Sequence, residues 1–373
     1  MSIPMRRPEL PAGVWQNAGL LFDKGFSEWP VDARARGEAI GKHLNSVANV
    51  GVPGIYKAAH RRWLAMTHAD PNVENWFGGI DGRLFIGLGD AHVLETQVMR
   101  QGIHGMPMIP GSALKGLARA YAEQYGVTRE EADILFGSQA TSEDAMEAGY
   151  LIFHDAWWIS WKDRKRPYVR DIVTVHAVEY YRRAGDSDIP IDMESPNPNH
   201  QLAVQGGFHF AIEGAPAWAG FGMTILRQAL CDNGIGAKVA AGYGYFIDDE
   251  HESHQWQRKA AQAAEALALR SRQARERAIE ADIEALSNSE DPLVRLRGLL
   301  TRHKGVARLS QAEKDTLNAA VNAAASALTE GEGEPERTAE FLLQAEEAYK
   351  LSLNSAKRRK KLAALRKRLR GAT

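Results

Sequence analysis

Cysteine is almost missing from this chain of 373 residues. Cys231 stands alone, which excludes an internal disulfide or a cysteine-rich zinc site and fits a reducing, cytoplasmic setting. No run of eighteen apolar residues occurs, so no membrane span is expected. The opening segment, Met1–Gln16, has no apolar stretch of the kind a secretory signal needs. Charge of one sign is missing too: 46 Lys and Arg face 47 Asp and Glu, a net of −1. Also absent are the Gly-Lys-Ser/Thr of a P-loop, the Gly-x-Ser-x-Gly of a nucleophile elbow and the His-Glu-x-x-His of a zinc protease. Nucleotide hydrolysis, serine chemistry and zinc proteolysis therefore have no local signature, and no fixed-period repeat is visible.

What is present falls into two parts. Eight of nine tryptophans precede residue 250, and the ninth is Trp256. Alanine-rich, helix-periodic sequence follows. The composition places a boundary near Asp248–Ser253, giving domains 1–250 and 251–373. The second part carries 23 Lys and Arg against 17 Asp and Glu, a net of +6; the first carries 23 against 30, a net of −7. Any polyanion binding by the first part must then come from local placement of charge and of backbone N–H groups.

Residues 251–373 read as an all-α bundle of four or five helices. One spans about Gln255–Leu286. Another starts at Ser289-Glu290-Asp291-Pro292, a cap residue followed by proline. Ser310 and Glu313 have capping-box spacing, Pro335 opens a helix to about Leu353, and Ser355–Arg370 is a basic helix with an apolar stripe at Leu362, Leu365 and Leu369.

The first part mixes strands and helices. Strands are expected at Arg83–Leu88, His92–Met99, Tyr150–Phe153, Ile172–Val175, Gly207–Ile212 and Tyr243–Ile247. Helices are expected at Ala113–Tyr125, capped by Ser112, and at Ala219–Asp232, stopped by Asn233-Gly234. This interleaving predicts an α+β, ferredoxin-like sheet with insertions.

Two motifs carry functional weight. In Gly234-Ile-Gly-Ala-Lys-Val-Ala-Ala-Gly-Tyr-Gly-Tyr-Phe246 four glycines flank Lys238. Glycine admits positive φ and close backbone approach, successive N–H groups form an anion-binding concavity, and Lys238 adds a point charge. The loop runs from a helix into a strand, the reverse of a dinucleotide fingerprint. The same residues also fit a helix-capping glycine followed by a glycine-rich strand start. The second motif is Ile109-Pro-Gly-Ser-Ala-Leu-Lys-Gly-Leu-Ala-Arg119. It offers a helix N-terminus, with Lys115 and Arg119 on one face and Gly116 leaving room for another backbone; taken alone, a capped helix with a solvated basic side is the simpler reading. Trp157, Trp158 and Trp161, followed by Lys162, Arg164, Lys165 and Arg166, suit either a subunit interface or a platform for single-stranded RNA. Basic Lys357–Arg370 fits RNA, an acidic neighbour or a solvated helix end.

Taken together, these motifs resemble the RAMP superfamily of CRISPR systems. Asn17–Asp23, Leu94–Thr96, Phe153–Ala156, Asp171–His176, Tyr180-Tyr181 and Pro190–Pro196 narrow the resemblance to the sixth-subunit family of the Cmr complex, the type III-B effector. It covers roughly residues 15–248; nothing in 251–373 matches. The resemblance implies a ferredoxin-like, RRM-related RAMP domain in a ribonucleoprotein of antiviral defence. The subunit lies near the 3′ end of the guide RNA and helps capture target RNA. The resemblance further implies that it is no enzyme and has no cofactor, and that its partners are guide RNA (crRNA), target RNA and other RAMP subunits. Carried onto this chain, the RNA path is lined by Ser112, Lys115, Arg119, Gly234, Gly236, Lys238, Gly242, Tyr243 and Gly244. Arg100–Met108 is a thumb reaching toward RNA, with Arg100 and His104 as contacts. Such contacts grip phosphates and sugars rather than sequence. The competing reading is a RAMP-fold endoribonuclease using carboxylates and histidines among His154, Asp155, Asp171, His176, Asp186, Asp188 and Asp192. A third is a protein scaffold whose glycine loop is structural.

Overall fold

A computed structural model describes residues 2–4, 15–138, 147–175, 197–306, 309–330, 335–351 and 356–370. His176, Tyr180, Tyr181, Asp186, Asp188, Asp192 and Pro190–Pro196 lie outside them. The chain divides into two compact units, Met1–Leu267 and Ala268–Thr373.

In the first unit the elements run β1 (Ser2–Pro4), α1 (Ala18–Lys24), β2 (Glu28–Pro30), α2 (Ala33–Ala48), α3 (Gly54–Ala69), β3 (Val73–Asp81), β4 (Met108–Ile109), α4 (Gly111–Gln124), α5 (Arg129–Phe136), β5 (Ile152–Phe153), β6 (Ala156–Ile159), β7 (Tyr168–Val175), β8 (Asn197–Val204), β9 (Gly207–Glu213), α6 (Pro216–Asp232) and β10 (Tyr245–Ile247). The main sheet has the order β10-β3-β9-β6-β4, with β5 also on β9, and its pairings are antiparallel. The hairpin partners β7 and β8 form a separate sheet.

Alternation along the strands gives the sheet two apolar faces. Trp76 and Ile80 of β3 share one core with Phe208 and Phe210 of β9, under Leu114 and Ala118 of α4 and Leu226 and Ala229 of α6. Phe77, Ile159 and Trp161 face the other way, against Leu64 of α3 and Ala260. Helices therefore cover both faces.

Strand β3 is not among the expected strands, and its Gly78-Gly79 pair is unfavourable inside a strand. The structure shows why glycine sits there: a Cβ on Gly79 would fall inside the indole of Trp161. The strands expected at Arg83–Leu88 and His92–Met99 are instead isolated bridges and turns. Leu84 pairs with Val204 and Phe85 with Ala237, and Gly82, Gly87 and Glu95 have positive φ that breaks an extended run. Helix α4 begins at Gly111, with Pro110 as its N-cap and no side-chain cap bond. Ser112 is therefore not the cap; it lies one residue inside the helix and is exposed.

Helix α7 (Glu250–Ser287) crosses the division between the units. Composition placed the boundary near residue 250. The compact division comes later because Trp256, Ala260 and Ala263 pack in the first unit: the Trp256 indole N–H donates to the Ser160 carbonyl at 3.2 Å, and Ala260 is buried with Leu64 and Phe77. In the second unit α8 (Pro292–His303), α9 (Gln311–Glu330), α10 (Pro335–Leu351) and α11 (Ala356–Arg370) follow. Leu296, Val321, Ala324, Phe341 and Ala345 form their core. Asp291 caps α8, accepting from the Leu293 amide at 2.8 Å. Ser310 and Glu313 close a capping box at 2.6 and 3.3 Å. No described helix is long and apolar enough to cross a membrane.

Buried histidines make the first unit acid-sensitive. Burial pushes His60 down from 6.5 to about 4 and also lowers His43 and His209. The unfolded chain protonates first, so this stability is complete above pH 6.5 and is lost as pH falls toward 4. His60 alone accounts for a loss of about 3 kcal/mol by pH 4. Urea unfolding at pH 7 and pH 4.5 should show the drop, and His60→Leu should reduce it.

Candidate nucleic-acid interface

The glycine loop between α6 and β10 is built from left-handed backbone. Gly234, Gly236, Lys238, Gly242 and Gly244 have φ of 68°, 91°, 62°, 86° and 80°. At two of these positions glycine is obligatory. A Cβ on Gly236 would run into the Phe85 carbonyl, and one on Gly244 into the Ile235 carbonyl. Backbone bonds then clamp the loop. The Ala237 amide donates to Phe85 O at 2.8 Å, Gly244 to Arg83 O at 2.9 Å and Ile235 to Gly244 O at 2.9 Å. Between the clamps a single 3-10 turn, Val239–Ala241, carries Lys238 at its head and Gly242 at its end. The amides of Lys238, Val239 and Ala240 have no acceptor among the described residues, and Lys238 and Gly242 are exposed.

Lys238 is the unusual member. A lysine in the left-handed region costs roughly 1 kcal/mol relative to glycine, and no side-chain bond compensates. Beside it, Tyr243 is half-buried against Phe85, with ring centroids 4.7 Å apart. Its hydroxyl donates to Asp171 at 3.1 Å. Burial first, and then this carboxylate, raise the phenol above its ordinary value. Asp171 in turn holds Arg83 at 2.6 Å. Sequence reasoning missed Arg83 as a member of this group: it pairs with a residue far along the chain, and only the folded structure brings them together.

Other expected residues lie elsewhere. Tyr121, toward the end of α4, donates to Asp232 at 2.6 Å, so the glycine loop follows the C-terminal end of α4. Ser112 and Lys115 are on its first turns and line a groove of about 760 Å³ shared with Glu147 and Phe153. Lys115 is exposed, and a Cβ on Gly116 would meet nothing within 4 Å, so no backbone among the described residues uses the space. The α4 N-terminus is occupied by a carboxylate: the Gly111 amide donates to Asp155 at 2.8 Å. Arg119 is committed to the fold. It bonds Asp133 at 2.6 Å, Glu123 at 2.9 Å and the Gly137 carbonyl at 2.7 Å, which raises its pKa further, Asp133 first.

The segment expected to reach outward as a thumb is a tight turn laid on the body. Arg100 bridges Pro107, and the Gly105 amide donates to Gln101 at 2.8 Å. Tyr168 donates to Gly105 O at 2.8 Å and Asn17 to Ile103 O at 3.0 Å. The Arg100 guanidinium pairs with Asp23 and Gln97 and lies 5.0 Å above Phe22. His104 bonds Gln101 at 2.9 Å beside Tyr56; burial, then Arg62, lowers its pKa. The segment Arg83–Gly87 separates this turn from the glycine loop, since Met99 donates to Ile86 O.

The tryptophan cluster is mostly core. Trp158 and Trp161 are each 2% exposed, so neither is an interface patch or an RNA platform; Trp157 is half-buried against Tyr56, His60 and Trp63. His154 bonds Glu213 at 3.1 Å. Among the described residues no group of three or more His, Cys, Asp or Glu is placed to hold a metal ion.

Comparison with known proteins bears on this loop and on the sheet leading to it. Residues 80–247 match the family model of the RAMP superfamily. The matched region ends on the glycine loop and β10. The CRISPR system Cmr subunit Cmr6 of Pyrococcus furiosus is 24% identical over 273 residues, covering 57% of this chain and 79% of that protein. Among solved structures, a chain of the type III-B Cmr-beta bound to cognate target RNA is 20% identical over 57% of this chain and 72% of its own length, with a TM-score of 0.43. The crystal structure of Cmr6 from Pyrococcus furiosus is 23% identical over 48% and 98%, with a TM-score of 0.29.

The glycine loop gives a direct test of its backbone. Gly236→Ala and Gly244→Ala meet a carbonyl as well as φ strain and should each lose at least about 2 kcal/mol in urea unfolding. Gly242→Ala meets only strain and should lose about 1 kcal/mol.

Proposed function

We propose that this chain is a non-catalytic subunit of a type III-B CRISPR effector ribonucleoprotein. In this reading it holds guide RNA near its 3′ end, beside other RAMP subunits, and supports capture of target RNA in the cytoplasm. Residues 1–250 are the RNA-binding RAMP domain, whose antiparallel sheet we read as ferredoxin-like, and 251–373 are a helical domain.

One observation carries the RNA contact: Lys238, exposed, held in left-handed backbone beside three amides, with no partner for the lysine side chain or these amides among the described residues. A residue that keeps a strained backbone without a packing reason points to a role outside the fold. Lysine beside free N–H groups suits phosphate oxygens and is indifferent to base identity. Gly234, Gly236, Gly242 and Gly244 shape the loop, and Tyr243 borders it. Ser112 and Lys115 are exposed and belong to a separate stretch of the path, whereas Arg119 and Arg100 act by fixing local structure. The similarity to a Cmr subunit supports the assembly. Asp155 and Asp171 are engaged by the α4 amide and by Arg83, which supports a binding role over hydrolysis.

Co-expression with the genes flanking its own should give a multi-subunit particle carrying short RNAs with uniform 5′ ends; elution as an RNA-free monomer would reject the reading. Lys238→Gly should keep stability within about 1 kcal/mol, because glycine suits the same backbone. It should weaken RNA binding and lower the salt slope by about 0.7, the value for one phosphate contact on a single strand. Mg²⁺-dependent RNA cleavage by the purified chain, lost in Asp155→Ala, would replace this reading with a nuclease.

A further inference from the structure

A second cationic surface lies on the opposite side of the sheet from α4 and α6. Helix α3, the turn after β6 and the start of α7, all within the first unit, enclose a cavity of about 780 Å³. Lys57, Arg61, Lys162, Lys165, Arg166 and Lys259 line it, and no carboxylate does. In a stretch of chain with net charge −7, such sorting produces a local positive field.

Two of the six cations are held from outside the cavity. Lys162, itself in left-handed backbone, bonds Asp249 at 2.8 Å, and Arg166 bonds Asn49. Lys259 sits 4.0 Å over the Trp256 ring. Lys57, Arg61 and Lys165 are exposed and have no carboxylate partner among the described residues. Lys57 and Arg61 are four apart on α3, so they repel one another until an anion arrives.

The lining is rigid and aromatic. Tyr56 donates to the Trp158 carbonyl at 2.7 Å, and Trp256 is fixed by Ser160 and stacked on Phe77. His60 also lines the cavity. It is 7% exposed, and its Nε2 is buried with no hydrogen-bond partner.

We infer that this cavity is a second RNA site, in which Lys57, Arg61 and Lys165 take the phosphates of a short single-stranded segment laid beside the half-buried Trp256–Lys259 pair. Cations beside an aromatic side chain are a combination single-stranded RNA selects; an acidic peptide would use the cations alone. The inference rests on the reading that this chain works on RNA, but it uses none of the glycine-loop residues.

The test uses the full chain and a fluorescein-labelled oligouridylate. Lys57→Glu, Arg61→Glu and Lys165→Glu together should weaken binding at least tenfold at 0.1 M salt and lower the salt slope by about 2, for three phosphates at 0.7 each. A charge-matched control, Arg270→Glu with Arg272→Glu and Arg275→Glu, should change binding less than twofold. Equal losses in both would mean only net charge matters and would overturn the site. Polyglutamate bound by the wild type as tightly as the oligouridylate, and lost in the same triple variant, would mark an acidic-protein site and overturn it as well. Should the triple variant misfold by circular dichroism, crosslinking of 4-thiouridine RNA to the wild type decides: peptides containing Tyr56–Arg61 or Trp256–Lys259 support the site, and their absence rejects it. Loss of binding in Lys238→Gly with none in the triple variant rejects this site and leaves the proposed function standing; a wild-type chain that binds no RNA rejects both.

Discussion

The left-handed backbone between Gly234 and Gly244 is the constraint from which the candidate interface follows. Two of its glycines have a carbonyl where a Cβ would be, so the loop can close against Arg83 and Phe85 only as it does. That closure links the end of α6 to the segment after β3. The segment is in turn bonded to Val204 of β8 and to Met99. One loop thus gathers the sheet, the β7–β8 hairpin and the turn beyond Met99 into a single frame. The same closure lifts Lys238 to the head of a one-turn helix, where its side chain has no bonding partner among the described residues. Relaxing the glycines would release the lysine from this position.

Charge is distributed on the same principle of local sorting. Over its first 250 residues the chain is acidic, yet several of its acids are engaged within the fold. Asp155 serves an amide, Asp171 serves Arg83 and Tyr243, Asp133 and Glu123 serve Arg119, and Asp23 serves Arg100. What remains outward in two places is cationic. A net charge computed along the sequence therefore says little about the field a ligand meets.

Where local rules govern, the sequence was readable. Helix α6, β9 and β10 follow from apolar runs ended by Asn233-Gly234 and by glycine, and Ser310–Glu313 announced its capping box. Strand β3 was hidden because Gly78 and Gly79 answer to tryptophans rather than to strand propensity. Arg83–Leu88 and His92–Met99 carry β-forming side chains, but positive-φ residues break them. Ser112 looked like a cap because Ser precedes an amphipathic run; the bond comes instead from Asp155, far away in sequence. Arg119 shared a helix face with Lys115, and nothing local revealed that three acceptors from the α4–α5 corner would claim it. For the candidate site, the glycine pattern showed where the loop lies, while its clamp on Phe85 and the Arg83–Asp171–Tyr243 chain needed the tertiary structure.

The late division of the chain has a spectroscopic side. Because Trp256 belongs with the first unit, all nine tryptophans lie in Met1–Leu267, and Ala268–Thr373 has only Phe341 and Tyr349 as aromatics. Indole emission excited at the red edge is therefore a private reporter of the sheet-bearing half. Far-ultraviolet ellipticity follows the helices of both units, so a melt read by ellipticity and by indole emission in one cuvette shows by its difference what the tryptophan-free helices do.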